Sequence, residues 1–240
     1  MNKKSLLVIS DGNGVENKFH KWPFFLKLLT TKTLNLINKS IVGSSNELIL
    51  YQLVNTIKEQ NIDYAIIQWT NPLRVDVIAD DFWVKQANID PIYHFNIVNV
   101  LNNNWWITSG SQNTYIQEYH TKYVKNLHSN LRSMSWIMAA SDLLKTNNIE
   151  YKFCLCYKLN FISPFDTILK KYPWVWHESN QGINEFRYTS QYFKYDQGLA
   201  QPHPLIGLDW IHRVLKPQCD FVDYDDNAYY NIEKSLLKNV

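Results

Sequence analysis

Short apolar runs that end in polar turns constrain the fold of this chain more than any other feature. Leu6–Ile9 is followed by Ser10 and Asp11, and Tyr64–Trp69 is followed by Thr70. A strand with apolar residues on both sides must be covered on both faces of its sheet, which is typical of parallel sheets flanked by helices. These runs are also too short to be helices. The sequence therefore predicts a central sheet with both faces buried.

Amphipathic segments between these runs predict helices. One helix is expected over Trp22–Leu29, with Pro23 in its first turn, and another follows a capping box formed by Ser44 and Glu47. Further elements are strands over 33–37 and 150–159, and helices over 114–147 and 206–215. Strands and helices alternate with crossovers long enough for parallel pairing. This predicts an α/β fold, a doubly wound three-layer sandwich with a mainly parallel central sheet.

Two segments lack a regular pattern. The stretch from Arg74 to Ser111 is rich in Asn and Trp, and we expect it to be irregular; we expect residues 160–202 to be rich in loops. No repeat, low-complexity stretch or linker divides the chain. We therefore expect one domain over residues 1–217, with an acidic, aromatic C-terminal tail over 218–240 that packs on it.

The charge balance and hydropathy exclude several classes of protein. With 24 basic and 22 acidic residues, the net charge is +2, which gives no reason to expect nucleic acid as a partner. No apolar stretch reaches the length of a membrane span. The apolar run near the N-terminus is too short for a signal peptide, so a cytoplasmic location is expected.

The three cysteines predict buried thiols rather than a disulfide framework. Cys154 and Cys156 alternate with apolar residues on a predicted strand, where positions two apart rarely suit a disulfide, and Cys219 leaves the count odd. No pair of cysteines has metal-binding spacing, and the seven histidines are scattered. We expect neither a metal nor a cofactor.

Polar signatures follow the predicted strands or precede the last helix. They are Ser10-Asp11-Gly12-Asn13-Gly14, Gly43-Ser44-Ser45-Asn46, Trp69-Thr70-Asn71 and His203-Pro204. In open α/β sheets, ligands bind beyond the carboxyl ends of the strands. We therefore expect these four segments to converge on one cleft.

In this order, the four segments resemble the SGNH (GDSL-like) hydrolases, which have an α/β fold of flavodoxin-like type. The resemblance spans about residues 5–215 and includes the helix that begins with Trp22-Pro23. The combination of Gly43-Ser44-Ser45-Asn46, Trp69-Thr70 and a long central helix looks like that of phage-encoded members. The resemblance implies that Gly43 and Asn71 form the oxyanion hole and that His203 is the general base.

The departures from the family pattern put catalysis in question. Gly12 stands where the family has its nucleophilic serine, and Ala200 stands where it has the aspartate that orients the histidine. An alternative triad uses Ser10 as nucleophile and Asp196 as the orienting carboxylate, since a triad is defined by geometry. The other alternative is that the segment from Ser10 to Gly14 is only a turn.

Three functional hypotheses stay open. The first is a serine esterase of the carbohydrate or lipid acyl-ester hydrolase lineage, whose ligand is an acylated glycan or small ester; Asp11, Gly12, Gly43 and Asn71 would bind it. The second is a catalytically inactive glycan-binding or structural module that uses the same cleft, for example in a virion or a homo-oligomer. The third, an unrelated α/β transferase, lacks a phosphate-binding glycine motif.

The tryptophans add one expectation to the binding hypothesis. Aromatic residues make up 15% of the chain, and several tryptophans fall in the irregular segments. They either pack at the periphery or form a platform for sugar rings. The tryptophans concerned are Trp83, Trp105, Trp106, Trp174 and Trp176.

Overall fold

A computed structural model describes ten stretches of the chain. They are residues 3–11, 22–41, 44–74, 77–80, 97–101, 104–107, 126–156, 165–175, 182–196 and 202–238. In chain order, the strands are β1 (Lys4–Ile9), β2 (Leu34–Asn38), β3 (Tyr64–Trp69), β4 (Val77–Asp80), β5 (Ile97–Leu101), β6 (Asn104–Ile107) and β7 (Glu150–Leu155). The α-helices are α1 (Trp22–Thr30), α2 (Asn46–Glu59), α3 (Asn126–Thr146), α4 (Phe165–Leu169), α5 (Ile183–Phe186), α6 (Pro204–Trp210) and α7 (Asp226–Leu237).

The central sheet has the order β2-β1-β3-β7, and all of its pairings are parallel. Alternate residues of β1 enter two separate cores: Leu6 and Val8 pack with α1, α6 and α7, whereas Leu7 and Ile9 pack with α2 and α3. Helices therefore cover both faces of the sheet. This confirms the predicted α/β sandwich with a mainly parallel central sheet.

The start of α2 differs by one residue from the sequence prediction. Ser45, rather than Ser44, is the N-cap, and its hydroxyl accepts a hydrogen bond from the Leu48 amide at 3.3 Å. Both serines suit a cap by their chemistry. The side chain of Asn46 bonds to the backbone of Thr70 on β3, and this tertiary contact fixes where the first turn begins.

The prediction that residues 74–111 are irregular is wrong. Within the described residues of this stretch, β4, β6 and β5 form an antiparallel sheet in that order. The strands are only four or five residues long, so their sequences carry too few positions for a clear alternation. Of the long helix expected over 114–147, the structure describes α3; residues 114–125 lie outside the described residues.

The segment after α6 runs from the end of the central sheet where its strands finish to the end where its strands begin. Gly207 lies against the backbone of Trp22, the first residue of the helix that follows β1, so α6 begins near the carboxyl ends of the strands. Farther along, the Phe221 ring stacks on Tyr64, the first residue of β3, with 4.6 Å between ring centroids. His203, directly before α6, therefore lies at the end of the sheet where the parallel strands finish, which we call the carboxyl edge.

The cysteines are free and buried, as predicted. Burial raises the pKa of the Cys154 thiol and raises that of Cys219 to about 12, so both sulfurs are held as neutral thiols. None of the helices in the described ranges has the length and apolar character needed to cross a bilayer.

Candidate functional site

The ends of β1 and β3 are joined by a side-chain hydrogen bond. The hydroxyl of Thr70 donates to Oδ2 of Asp11 at 2.5 Å, and both residues are buried. These two strands are parallel neighbours in which Ile9 pairs with Ile67, so residues directly beyond them meet at the carboxyl edge. The sequence motifs around Asp11 and Thr70 are thus brought together.

Arg74 reaches the same carboxylate oxygen from the turn after β3. Its Nη1 atom lies 2.9 Å from Asp11 Oδ2, with the arginine side chain 27% exposed and the aspartate side chain 3% exposed. Nη1 is buried but has no hydrogen-bond partner among the described residues, so this contact is an ion pair without an aligned hydrogen bond. The turn itself is held by the Arg74 amide, which donates to the Asn71 carbonyl at 3.0 Å.

Asn46 links this carboxylate network to two helices. Its Oδ1 accepts from the Thr70 amide at 2.8 Å, and its Nδ2 donates to the Thr70 carbonyl at 3.2 Å and to Ser133 Oγ at 3.0 Å. Both asparagine and serine are buried. A continuous polar network therefore runs from α3 through the start of α2 to the ends of β3 and β1.

Ser10, the alternative nucleophile, is fully buried and is engaged in local contacts. Its hydroxyl donates to the Asp11 carbonyl at 3.0 Å, and its Oγ also lies 3.0 Å from Ser40 Oγ. The Ser10 carbonyl accepts from the Ile41 amide at 3.2 Å. These contacts tie the end of β1 to the segment after β2 and give the hydroxyl a structural role.

His203 caps α6 through its imidazole. Nδ1 accepts a hydrogen bond from the Leu205 amide at 3.3 Å, and the ring centroid lies 6.0 Å from that of Tyr195. A neutral histidine whose Nδ1 is an acceptor carries its proton on Nε2. In a Ser-His-Asp triad the roles are reversed, because Nδ1–H donates to the aspartate and Nε2 takes the proton from serine.

Asp196 forms a buried ion pair with Arg187. The arginine Nε donates to Asp196 Oδ2 at 2.5 Å, and the two side chains are 11% and 2% exposed respectively. The carboxylate is thus used to hold the segment between α5 and the short 3₁₀ turn over Phe193–Tyr195. Its proposed role in orienting His203 stays a prediction.

Asn71 lies at the carboxyl edge in a half-buried turn. Its Oδ1 accepts from the Leu73 amide at 2.9 Å, a turn in which the asparagine side chain bonds to the backbone two residues on. Its Nδ2 group makes no hydrogen bond within the described stretches, which leaves it as a donor at the edge. Its predicted part in an oxyanion hole stays a prediction.

Several predicted residues fall outside the described residues. These are Gly12, Gly43, Ala200, Trp83 and Trp176. Trp105 and Trp106 lie on β6, which pairs with β4 in the antiparallel sheet. Trp174 is not part of a surface platform: it is 6% exposed, packs in the core with Phe153, and donates from Nε1 to the Leu169 carbonyl.

Sequence reasoning did not single out Arg74 or Ser133 as site residues. The sequence gives a weak indication that Arg74 is a site residue. A cationic side chain four residues after a threonine at the end of a strand is long enough to reach back to that strand end. The sequence gives no such indication for Ser133, because this residue lies within α3, where the apolar positions determine the helical pattern. In the described part of the chain, no group of three or more His, Cys, Asp or Glu side chains is arranged to hold a metal ion.

Comparison with known protein families found no match, and neither did comparison with curated proteins. Three solved structures are similar to this chain. A protein assigned to the lipolytic G-D-S-L family of Desulfitobacterium hafniense aligns at 9% identity and a TM-score of 0.41, covering 86% of this chain and 97% of its own. A protein of Bacteroides fragilis assigned as an acylhydrolase aligns at 14% identity with a TM-score of 0.40. This alignment covers 99% of this chain and 88% of that protein.

The third similar structure is a GDSL-like lipase of Bacteroides thetaiotaomicron, at 11% identity and a TM-score of 0.39, covering 99% of this chain and 89% of its own. All three TM-scores lie below 0.5. The fold is therefore defined by the strand order and parallel register of the central sheet itself.

Proposed function

We propose that this chain is an SGNH-hydrolase-like protein of the acyl-ester hydrolase lineage that keeps the cleft at the carboxyl edge but does not catalyse hydrolysis. In this proposal the cleft binds a glycan, acylated or not. The observation that carries the proposal is the state of Ser10, whose buried hydroxyl bonds to the Asp11 carbonyl and contacts Ser40. A hydroxyl held in this way is neither exposed to a substrate carbonyl nor activated by a base.

The imidazole of His203 supports the same reading. Because Nδ1 accepts from the Leu205 amide, it has no proton to offer an orienting carboxylate. Asp196, which could supply that carboxylate, is already paired with Arg187. A serine hydrolase needs the nucleophile, base and orienting acid to act as a unit, and each of the three candidates is bonded elsewhere.

The carboxyl edge of the sheet is still suited to binding a ligand. A hydrogen-bond network fixes polar groups at the point where ligands of open α/β sheets bind. Its members are Asp11, Thr70, Asn46 and Ser133. A site held by such hydrogen bonds is organised before the ligand arrives, and this lowers the entropic cost of binding. The resemblance to phage-encoded members further leads us to propose a virion as one setting for such a module.

Two measurements test the proposal together. We expect no turnover of p-nitrophenyl acetate above the buffer rate, and binding of at least one sugar from a panel of neutral methyl glycosides observed by NMR. Ser10→Ala is expected to leave the residual ester signal unchanged. Hydrolysis by the unmodified protein at about 1 per second or faster would overturn the proposal, because that is an ordinary enzymatic rate.

A gain-of-function variant gives the complementary test. Gly12→Ser combined with Ala200→Asp restores the two groups that the family pattern requires, so ester hydrolysis is expected to rise above that of the unmodified chain. The matched controls are the two single variants, each of which still lacks one group. Equal activity in the double variant and the unmodified chain would count against descent from an esterase cleft.

A further inference from the structure

We infer that the exposed rings of Tyr188 and Phe193 form a stacking site for one ring of a sugar. This inference rests on the proposed binding function and names the surface that contacts the glycan. The two rings lie against each other, with 5.5 Å between centroids and 57° between planes. Because they are inclined rather than stacked, neither ring covers the face of the other. Tyr188 is 66% exposed and Phe193 is 45% exposed.

The chain between the two rings is fixed by buried residues. Ser190 is 6% exposed, and its hydroxyl donates to Oδ2 of the fully buried Asp209 at 2.6 Å. Tyr192 is also buried, and its phenol donates to Glu233 on α7. The Phe193 amide in turn donates to the Ser190 carbonyl at 3.1 Å. The rings are therefore held in place before a ligand arrives, which lowers the entropic cost of binding.

Arg187 supports the Tyr188 ring from the protein side. Its guanidinium lies over this ring, 5.7 Å from the centroid, an arrangement in which a cation is attracted by the π-electrons. The same guanidinium is paired with the buried Asp196 carboxylate, so its charge is already balanced. Arg187 thus helps to position the phenol, and the exposed part of the ring is left for a ligand.

Both ends of the segment that carries the rings are attached at the carboxyl edge. At its start, the Asn184 amide donates to the carbonyl of Cys156, the residue directly after β7, at 3.2 Å. At its end, the Tyr195 ring centroid lies 6.0 Å from that of His203. The segment therefore borders the edge where the proposed function places the glycan.

The size and chemistry of this surface favour a sugar over a protein partner. From the usual area of an aromatic side chain and the exposed fractions, the two rings offer on the order of 200 Å². A stable protein–protein interface needs about 800 Å² from each partner. The neighbouring Gln191 and Lys194 are exposed and polar. A sugar ring has an apolar C–H face and hydroxyl groups at its rim, so it matches two rings with polar neighbours.

The test is a ¹H NMR titration of the neutral methyl glycosides of the panel with the full chain. A sugar ring that stacks on an aromatic face is shielded by the ring current, so the C–H protons of one sugar face should move upfield. D-mannitol carries similar hydroxyl groups on an open chain and has no ring face. It should show no such shift and should not compete with the glycosides.

Leucine variants separate stacking from general apolar contact. Tyr188→Leu and Phe193→Leu keep an apolar side chain but remove the flat ring. Each should weaken glycoside binding by about two- to tenfold, as expected for the loss of an aromatic contact, and the double variant should abolish the upfield shifts. Tyr188→Phe retains the ring and should bind much as the unmodified chain does. Because both side chains are exposed, we expect all of these variants to fold, and thermal unfolding verifies this.

Leu127→Ala is the control for the loss of an exposed apolar side chain. Leu127 is 59% exposed and lies on α3, which covers the opposite face of the central sheet from the core that contains Phe186. This variant should bind the glycosides with unchanged affinity. A decrease as large as that of the leucine variants would overturn the assignment of the site to Tyr188 and Phe193.

The remaining outcomes separate the inference from the proposed function. Unchanged glycoside binding in the folded double variant would place the site elsewhere and overturn the inference alone. A dimer in sedimentation experiments that is lost in Tyr188→Leu would also overturn it, by showing that a second copy covers the rings. No neutral sugar bound at about 100 mM, a concentration that would reveal even very weak complexes, would overturn the proposed binding function itself and the inference with it.

Discussion

The hydroxyl of Thr70 donates to the carboxylate of Asp11 at 2.5 Å, across the ends of two parallel strands. This hydrogen bond joins two sequence motifs that are 59 positions apart in the chain. Arg74 approaches the same carboxylate oxygen, Oδ2, at 2.9 Å. The site is therefore defined by a contact between strand ends, and neither motif contains it alone.

Replacing Thr70 with valine should destabilise the protein. The change keeps the side-chain shape but leaves the buried Asp11 carboxylate with Arg74 alone, at an expected cost of about 1–3 kcal/mol in the free energy of unfolding. Urea denaturation followed by circular dichroism measures this cost. Thr70→Ser, which keeps the hydroxyl, is the control and should stay closer to the unmodified chain; equal stability of the valine variant would contradict the prediction.

Replacing His203 with alanine should weaken the start of α6. Loss of the bond between Nδ1 and the Leu205 amide removes the side-chain cap, which typically costs about 0.5–2 kcal/mol. His203→Asn retains a capping acceptor and is expected to be more stable than His203→Ala. The comparison uses thermal unfolding, and a cap role is disproved if alanine and asparagine give the same midpoint as histidine.

Removing one partner of the Arg187–Asp196 pair should be strongly destabilising. Both side chains are largely buried, so Arg187→Ala leaves an unpaired carboxylate in the interior at an expected cost of about 3–5 kcal/mol. The double variant Arg187→Met with Asp196→Leu removes both charges and should recover much of the loss. Chemical denaturation of Arg187→Met, Asp196→Leu and the double variant gives the coupling; additive losses would argue against the buried pair.

The Cys219 thiol should make the protein less stable as the pH rises above about 9. Burial raises its pKa from 9.0 to about 12 in the folded chain. Below the lower value the thiol is protonated in both states; above it, the unfolded chain loses a proton that the folded chain retains, so stability falls with rising pH. Urea denaturation at pH 8 and pH 10 measures this fall.

Cys219→Ala is the matched control for the alkaline effect. Without the thiol, the decrease in unfolding free energy between pH 8 and pH 10 should be smaller than in the unmodified chain. Equal decreases would show that other groups cause the effect. Burial also raises the pKa values of the Tyr224 and Tyr229 phenols, but both phenols are present in the two proteins, so their contribution cancels in the comparison.

Local sequence patterns were sufficient to predict the layered architecture. The apolar runs at β1 and β3 require cover on both faces, and this requirement alone leads to a parallel sheet between helices. The same reasoning predicted a helix over Trp22–Leu29, which is observed over Trp22–Thr30, and the burial of Cys154 on β7 and of Cys156 just after it. Short antiparallel strands such as β4 to β6 escaped it, because their identity depends on pairing with distant segments rather than on their own composition.

The sequence by itself determined which faces of this chain must be buried and which motifs follow the strands, because burial leaves a periodic signature in residue type. Only the tertiary structure decided how the polar groups of those motifs are used. The Ser10 hydroxyl, His203 Nδ1 and the Asp196 carboxylate suit a triad by residue type, yet each is bonded to a different neighbour. Hydrogen bonding depends on distance and direction between groups that are far apart in the chain, and residue order does not encode those quantities locally.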